Sequence, residues 1–218
     1  MRQVKIGSKW TFTDYGLLLS PNSSVGEAKP KTHYIDIPFG DGFIDLTESL
    51  TGEVSYDKRE VDFSLVLPAD SGRWDEIRKE LVNNHHGRKQ EIIMPQYPKY
   101  RFIGRLSIGT IDEDKAVAII PISAICEPYM LKKDKTIVNK VVPSGGTLTT
   151  TLSNERMATV PTFTVNNTVQ IVFNNKTYNH GAGTFRNAGV VLLQGDNNLV
   201  IKAQAGTTVK IEYQEGAL

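Results

Sequence analysis

The chain has 218 residues, 39% hydrophobic and 22% charged, with a formal net charge of +1. This is the make-up of a folded protein rather than a disordered one, and its balanced charge provides no bulk attraction to nucleic acid or an anionic membrane. No apolar run approaches the roughly 20 residues of a membrane-spanning helix, and the start MRQVKIGSKW has no apolar signal segment, so synthesis and folding in a cytoplasm is expected.

The even balance hides an asymmetry. Residues 1–131 carry 16 Lys+Arg and 19 Asp+Glu, a sum of −3, whereas residues 132–218 carry 9 and 5, a sum of +4. Asn and Thr number 23 in the second segment against 9 in the first, and both tryptophans, Trp10 and Trp74, lie in the first. Composition changes at the run LKKDKT, which predicts two domains, 1–132 and 133–218.

VKIGSKWTF alternates like a strand and ends at the turn residues Asp14 and Gly16. After LLLS, the Pro-, Ser- and Gly-bearing stretch Pro21 to Lys31 reads as an exposed loop or arm. Gly40-Asp41-Gly42 tolerates positive φ, so IDIPF and FIDL are predicted to form a hairpin with a tight turn. EVDFSLVLP places Val61, Phe63, Leu65 and Leu67 on one face and Glu60, Asp62 and Ser64 on the other, the pattern of a strand with one wet side.

A helix is expected from Ser71 to His86. Ser71 caps it, Asp75 and Glu76 complement its positive end, Trp74, Ile77 and Leu81 form its apolar stripe, and Gly87 stops it. The strands EIIMP, YRFIGRLSI and KAVAIIPISAICEP follow, the last two joined by GTIDEDK. Beyond residue 132 there is no helical period. TIVNKVV, GTLTTTL, PTFTV, VQIVF, GVVLL, LVIKAQ and TVKIEY alternate with turn clusters at Ser144–Gly146, Asn166-Asn167, Asn174-Asn175, 180–183 and 195–198, which predicts a β-sandwich.

Candidate chemistry is sparse. His85 and His86 are adjacent on a helix and so diverge by about 100°, unlike an i, i+4 metal pair; they read as a polar helix end complementing the dipole. Cys126 lies in an apolar run and reads as a small buried hydrophobe. Asp112-Glu113-Asp114 lacks the spacing of a calcium loop and reads as a solvated hairpin tip. There is no G-x-S-x-G, no P-loop and no dinucleotide fingerprint, and Gly181-Ala182-Gly183 falls between strands. Arg101 and Arg105 beside Tyr100 and Phe102 invite a nucleic-acid reading, but alternation buries the aromatics and exposes the arginines. Phe163, Phe173, Tyr178, Phe185 and Tyr213 are the aromatics available to a sugar site in the second segment, and most sit in strand-like runs expected to be core. No catalytic residue, metal site or cofactor is assigned.

The order of several motifs resembles the distal tail protein (Dit) family of siphophages and related prophages. These are IDIPFGDGFIDLT, the charged approach to the strand EVDFSLVLP, a Trp-bearing helix, YPKYRFIGRLSI, ICEPYMLK and the closing IEYQEGAL. The resemblance implies a mainly β, two-domain protein: an N-terminal β-sandwich with one helix and a long hairpin, then a galectin-like C-terminal β-sandwich. It also implies a homohexameric ring that joins the tail tube protein to the tail-tip protein and to receptor-binding proteins, located in the virion tail, with DNA passing through the lumen without specific binding. A closing ring needs two different patches on each subunit. Glu27, Lys29 and Lys31 of the loop, with Gly40, Asp41, Gly42 and Phe43 of the hairpin, are the candidate contacts with a neighbouring subunit. The competing reading is a carbohydrate-binding tail or adhesion module acting through residues 132–218. An enzyme such as a cell-wall hydrolase ranks third.

Overall fold

The computed structural model describes residues 2–49, 51–68, 74–110 and 117–218, apart from the side chains of Pro68 and Trp74. The chain is mainly β and divides into two compact units, Met1–Met130 and Leu131–Leu218.

The first unit contains β1 (Lys5–Ile6), β2 (Lys9–Trp10), α1 (Thr11–Tyr15), β3 (Leu18–Val25), β4 (Tyr34–Asp36), β5 (Phe43–Asp45), β6 (Arg59–Pro68), α2 (Trp74–His85), β7 (Lys89–Ile93), β8 (Tyr100–Ile108) and β9 (Val117–Cys126). Its main sheet runs β2-β1-β7-β8-β9-β6-β3, with antiparallel neighbours throughout. Strand alternation builds the core directly. β9 buries Ala118, Ile120, Ile122, Ala124 and Cys126 and turns the residues between them outward, while β6 buries Val61, Phe63, Leu65 and Leu67. Ile6 from one end of the sheet and Leu19 from the other belong to the same buried cluster, so the sheet curls over a single core. Ile77 and Leu81, one turn apart on α2, insert into that core. The predicted cap Ser71 lies outside the described residues, but Gly87 (φ 72°) does follow the helix end in the left-handed conformation.

Three expectations for this unit need correction. VKIGSKWTF is not one strand: Gly7 (φ 58°) turns β1 back onto β2, and the chain then enters α1. The stretch Pro21–Lys31 is not all loop, because residues 21–25 belong to β3, paired with β6 through an irregularity between Leu19 and Ser23. That irregularity accommodates Pro21, and β3 is an edge strand, where proline is tolerated. The Gly-Asp-Gly hairpin exists but its turn is not tight: β4 and β5 pair in the register Asp36↔Phe43, leaving 37–42 as the connection.

β10 (Met130–Lys132) carries the chain into the second unit, which contains β11 (Thr136–Val141), β12 (Thr147–Asn154), β13 (Thr162–Val165), β14 (Val169–Phe173), β15 (Lys176–His180), β16 (Gly183–Arg186), β17 (Gly195–Ala203), β18 (Thr208–Tyr213) and β19 (Gly216–Ala217). Two four-stranded antiparallel sheets, β11-β18-β13-β16 and β12-β17-β14-β15, make a β-sandwich. Phe163 and Ile211 from one sheet meet Ile171, Leu199 and Ile201 from the other in its core.

GVVLL is not a strand. Val190 and Leu192 are buried, but the segment makes only an isolated bridge between Leu192 and Thr159. Residues 195–198 are not a turn either, since they open β17. The turn at Asn174-Asn175 is present, with φ of 47° and 60°, and it joins β14 to β15.

Candidate functional site

Between β3 and β6 the chain leaves the sheet and returns as a two-stranded arm spanning residues 26–60. Backbone bonds tie the two legs at successive levels: Gly26 N–H to Glu60 O, Asp57 N–H to Lys29 O, Lys31 N–H to Ser55 O and Leu46 N–H to His33 O, each at 2.8 Å. Beyond these rungs β4 and β5 form the tip.

The tip buries nothing. Among the described residues fourteen large hydrophobics are exposed, and six of them (Tyr34, Ile35, Ile37, Phe39, Phe43 and Ile44) fall between residues 34 and 44. Both faces of the hairpin are wet, so the usual division into an inner and an outer face fails here. Tyr34 and Phe43 cover one another edge-to-face, with centroids 4.6 Å apart. Phe39 is fully exposed and has φ 60°, a left-handed conformation that costs a bulky residue about 1 kcal/mol or more. Gly40 makes that turn possible, because a Cβ on it would lie 2.8 Å from Cγ2 of Ile37. A lone two-stranded hairpin is marginal in water, and so compact an apolar patch marks an interaction surface.

Charge accompanies the apolar surface. Residues 34–49 carry Asp36, Asp41, Asp45 and Glu48 and no Lys or Arg. The Thr47 side chain, and then its backbone N–H, hydrogen-bond the Asp45 carboxyl and hold it below the usual carboxylate range. The tip is therefore an acidic apolar surface at neutral pH.

The residues singled out in the sequence as subunit contacts all lie on this arm and all are exposed. Gly40, Asp41, Gly42 and Phe43 are at the tip, and Gly42 (φ 86°) meets the positive-φ expectation. Glu27 is at the root, 3.8 Å from Nη2 of the buried Arg59, whose guanidinium also lies over the Phe102 ring. Lys29 and Lys31 lie on the first leg, in its backbone ladder. Sequence reasoning missed Tyr34, Ile35, Ile37, Phe39 and Ile44. Their signal was a dense apolar run with acids and no cation, which a search for buried faces discards.

The other candidate residues have structural roles. His85 is not a polar helix end: it is 2% exposed, with Nε2 2.9 Å from the Tyr15 hydroxyl and Nδ1 2.8 Å from Gln90 Oε1. His86 is the exposed one, and its Nδ1 accepts a bond from Ile108 N–H. Cys126 is buried, and desolvation pushes its thiol up to about 12. Phe102 is buried, Tyr100 is half-buried, and Arg101 pairs with Glu91 at 3.0 Å. Phe163, Phe173 and Tyr213 are core residues, while Tyr178 and Phe185 are half-buried at its margin. Asp112-Glu113-Asp114 lies outside the described residues. Among the described residues, no group of three or more His, Cys, Asp and Glu side chains is placed to hold a metal.

No family model matches the chain, and no curated protein matches it. Among solved structures it is similar to the Dit protein of phage SPP1 (gp 19.1), described as a paradigm of the hub adsorption apparatus of phages infecting Gram-positive bacteria. The likeness covers 98% of this chain and 99% of that one, with a TM-score of 0.65 and 15% sequence identity. Over its whole length, then, the chain has the fold of that hub protein.

Proposed function

We propose that this chain is a distal tail protein: a non-enzymatic hub of a phage tail tip, built as a ring of six identical copies. The observation that carries the reading is the apolar tip of the arm, which the fold of one chain leaves in water. The full-length likeness to a phage hub protein and the order of motifs in the sequence support it.

In this reading the first unit is the ring-forming domain. Its arm reaches a neighbour, with Glu27, Lys29 and Lys31 at the root and Gly40, Asp41, Gly42 and Phe43 at the tip among the contacts. Each copy offers one patch and receives another, the head-to-tail arrangement that closes into a ring when the rotation is right. The ring joins the tail tube protein to the tail-tip protein and serves as a platform for receptor-binding proteins. The second unit, a galectin-like sandwich, decorates it. The −3 sum of residues 1–131 suits a lumen that passes DNA without holding it.

The test is mass in solution, measured by light scattering over a range of concentrations, alone and with tail tube protein. The wild type is expected to form a six-fold assembly. Phe39→Ser with Phe43→Ser, exposed positions that carry no core packing, is expected to leave it dissociated with its fold intact. A wild type that stays monomeric under both conditions contradicts the proposal.

A further inference from the structure

If the arm tip is one half of a head-to-tail contact, the same chain must carry the other half. The outer face of β8 and β9 has the required character. A groove of about 740 Å³ opens there, with Ile103 and Ile125 in its apolar lining and Tyr56 contributing an aromatic wall. Ile125 is 51% exposed near the end of β9, on the wet face of a strand flanked by β6 and β8, so one chain leaves this apolar side chain uncovered.

The rim is cationic. Lys31, Lys58, Lys89 and Arg105 line the groove against one carboxylate, Glu127, which pairs with Lys89 at 2.5 Å. Arg105, also on this rim, donates to the Gly87 carbonyl. The tip has the opposite make-up, with an apolar body, four acids and no cation.

We infer that the groove over β8 and β9 receives the arm tip of a second copy of this chain. This rests on the reading that the arm mediates self-association, and it adds where the arm goes. Phe39 and the Tyr34–Phe43 pair would bury against Ile103 and Ile125, while Asp36 and Asp41 face the Lys58 and Arg105 side. An apolar centre with a complementary charged rim gives both affinity and register. Tip and groove are different surfaces, so the contact is directional and propagates from copy to copy.

Charge reversal tests this with the full chain. Lys58→Glu/Arg105→Glu makes the groove acidic and should weaken self-association at least about tenfold. Asp36→Lys/Asp41→Lys makes the tip basic and should do the same. The discriminating measurement is an equimolar mixture of the two. Every basic tip then meets an acidic groove and every acidic tip a basic one, so the mixture regains the wild-type mass. That rescue also shows that neither variant had simply failed to fold.

As a second readout, Phe39→Cys with Ile125→Cys should give intermolecular disulfide ladders under mild oxidation, with the buried Cys126 not competing. A groove variant that assembles like the wild type, a mixture that stays dissociated, or the absence of ladders overturns the assignment. If only Phe39→Ser/Phe43→Ser dissociates the protein, the arm's role stands and the groove is the wrong receiver. A wild type that never associates removes the reading beneath both.

Discussion

The Tyr15 hydroxyl donates to Nε2 of His85 across 2.9 Å inside the first unit, linking the end of α1 to the end of α2. The second ring nitrogen fixes the direction. Gln90 Nε2 donates to the Asn84 carbonyl, so Gln90 Oε1 accepts from His85 Nδ1–H and leaves Nε2 as the acceptor. That assignment is the one open to a neutral ring, and desolvation by burial favours the neutral form and is the main cause of the lowered pKa.

Stability should follow from that protonation state. The folded pKa of His85 lies below the unfolded value near 6.5, so the unfolded chain binds the extra proton. The stabilisation is present above pH 6.5 and is lost as pH falls through the folded pKa. Urea unfolding at pH 7.5 and pH 5 should show a drop for the wild type that is smaller in His85→Gln. An equal drop in both would remove His85 as the cause.

Gly104 faces Cys126 across β8 and β9, and a Cβ there would lie 2.4 Å from Cys126 Sγ and 2.9 Å from the Ile125 carbonyl oxygen. Gly104→Ala should destabilise the first unit by about 1–3 kcal/mol. Adding Cys126→Ala should recover only part of the loss, because the backbone contact remains. Thermal unfolding of the single and double variants reads this directly. Full recovery would show that the sulfur alone sets the limit.

Asn197 holds the segment before β17 in place. Its Nδ2 donates to the carbonyls of Leu152, Leu193 and Gly195, and its Oδ1 accepts from Leu193 N–H. Asn197→Leu strips its partner from the buried Leu152 carbonyl and from the part-buried groups of Leu193 and Gly195, and a loss of about 1–3 kcal/mol is expected from denaturant titration of the second unit's transition. A change below about 0.5 kcal/mol would mean that water replaces the amide at no cost.

Lys132 and Glu215 meet at 2.7 Å, and Thr136 Oγ1 donates to the same carboxylate oxygen. Desolvation works against the charged lysine, but its hydrogen bond and attraction to Glu215, with Glu155 nearby, prevail and raise its pKa. Glu215 is the buried partner, and Lys132 is partly solvated. Lys132→Met therefore strands a buried charge and should cost about 1–3 kcal/mol, the lower part of the range for buried pairs because solvent screens the lysine. Glu155→Gln should cost less. Calorimetry of the two variants gives the order, and the reverse order would place the energy in the outer pair.

Period-2 patterning made much of the fold legible. EVDFSLVLP and the strand ending at Cys126 alternate cleanly because one face is core and the other is water. The failures have physical causes. KTYNH and GTFR carry too few apolar residues to announce β15 and β16, each of which lies at one edge of its sheet. GVVLL looked like a strand because Val190 and Leu192 are buried, yet its backbone pairing stops at the single bridge to Thr159, and side-chain amides of Asn154 and Asn197 bond the carbonyls of Leu192 and Leu193. Pro21 and the serines after it hid the edge strand β3.

At the site, the Gly-Asp-Gly signal located the hairpin but not its character. Apolar residues on both faces of a hairpin suggest burial, and only the structure places them in water. The groove over β8 and β9 gathers residues as distant in sequence as Lys31 and Glu127, a grouping that no local pattern reveals.

Electron micrographs of the purified full-length protein, alone and mixed with tail tube protein, address the central claim most directly. Averages should show closed rings of six in which the 34–44 hairpin of every copy is covered by its neighbour. Particles in which that apolar tip touches only solvent would contradict the claim that surface fit between identical copies is what this protein is for.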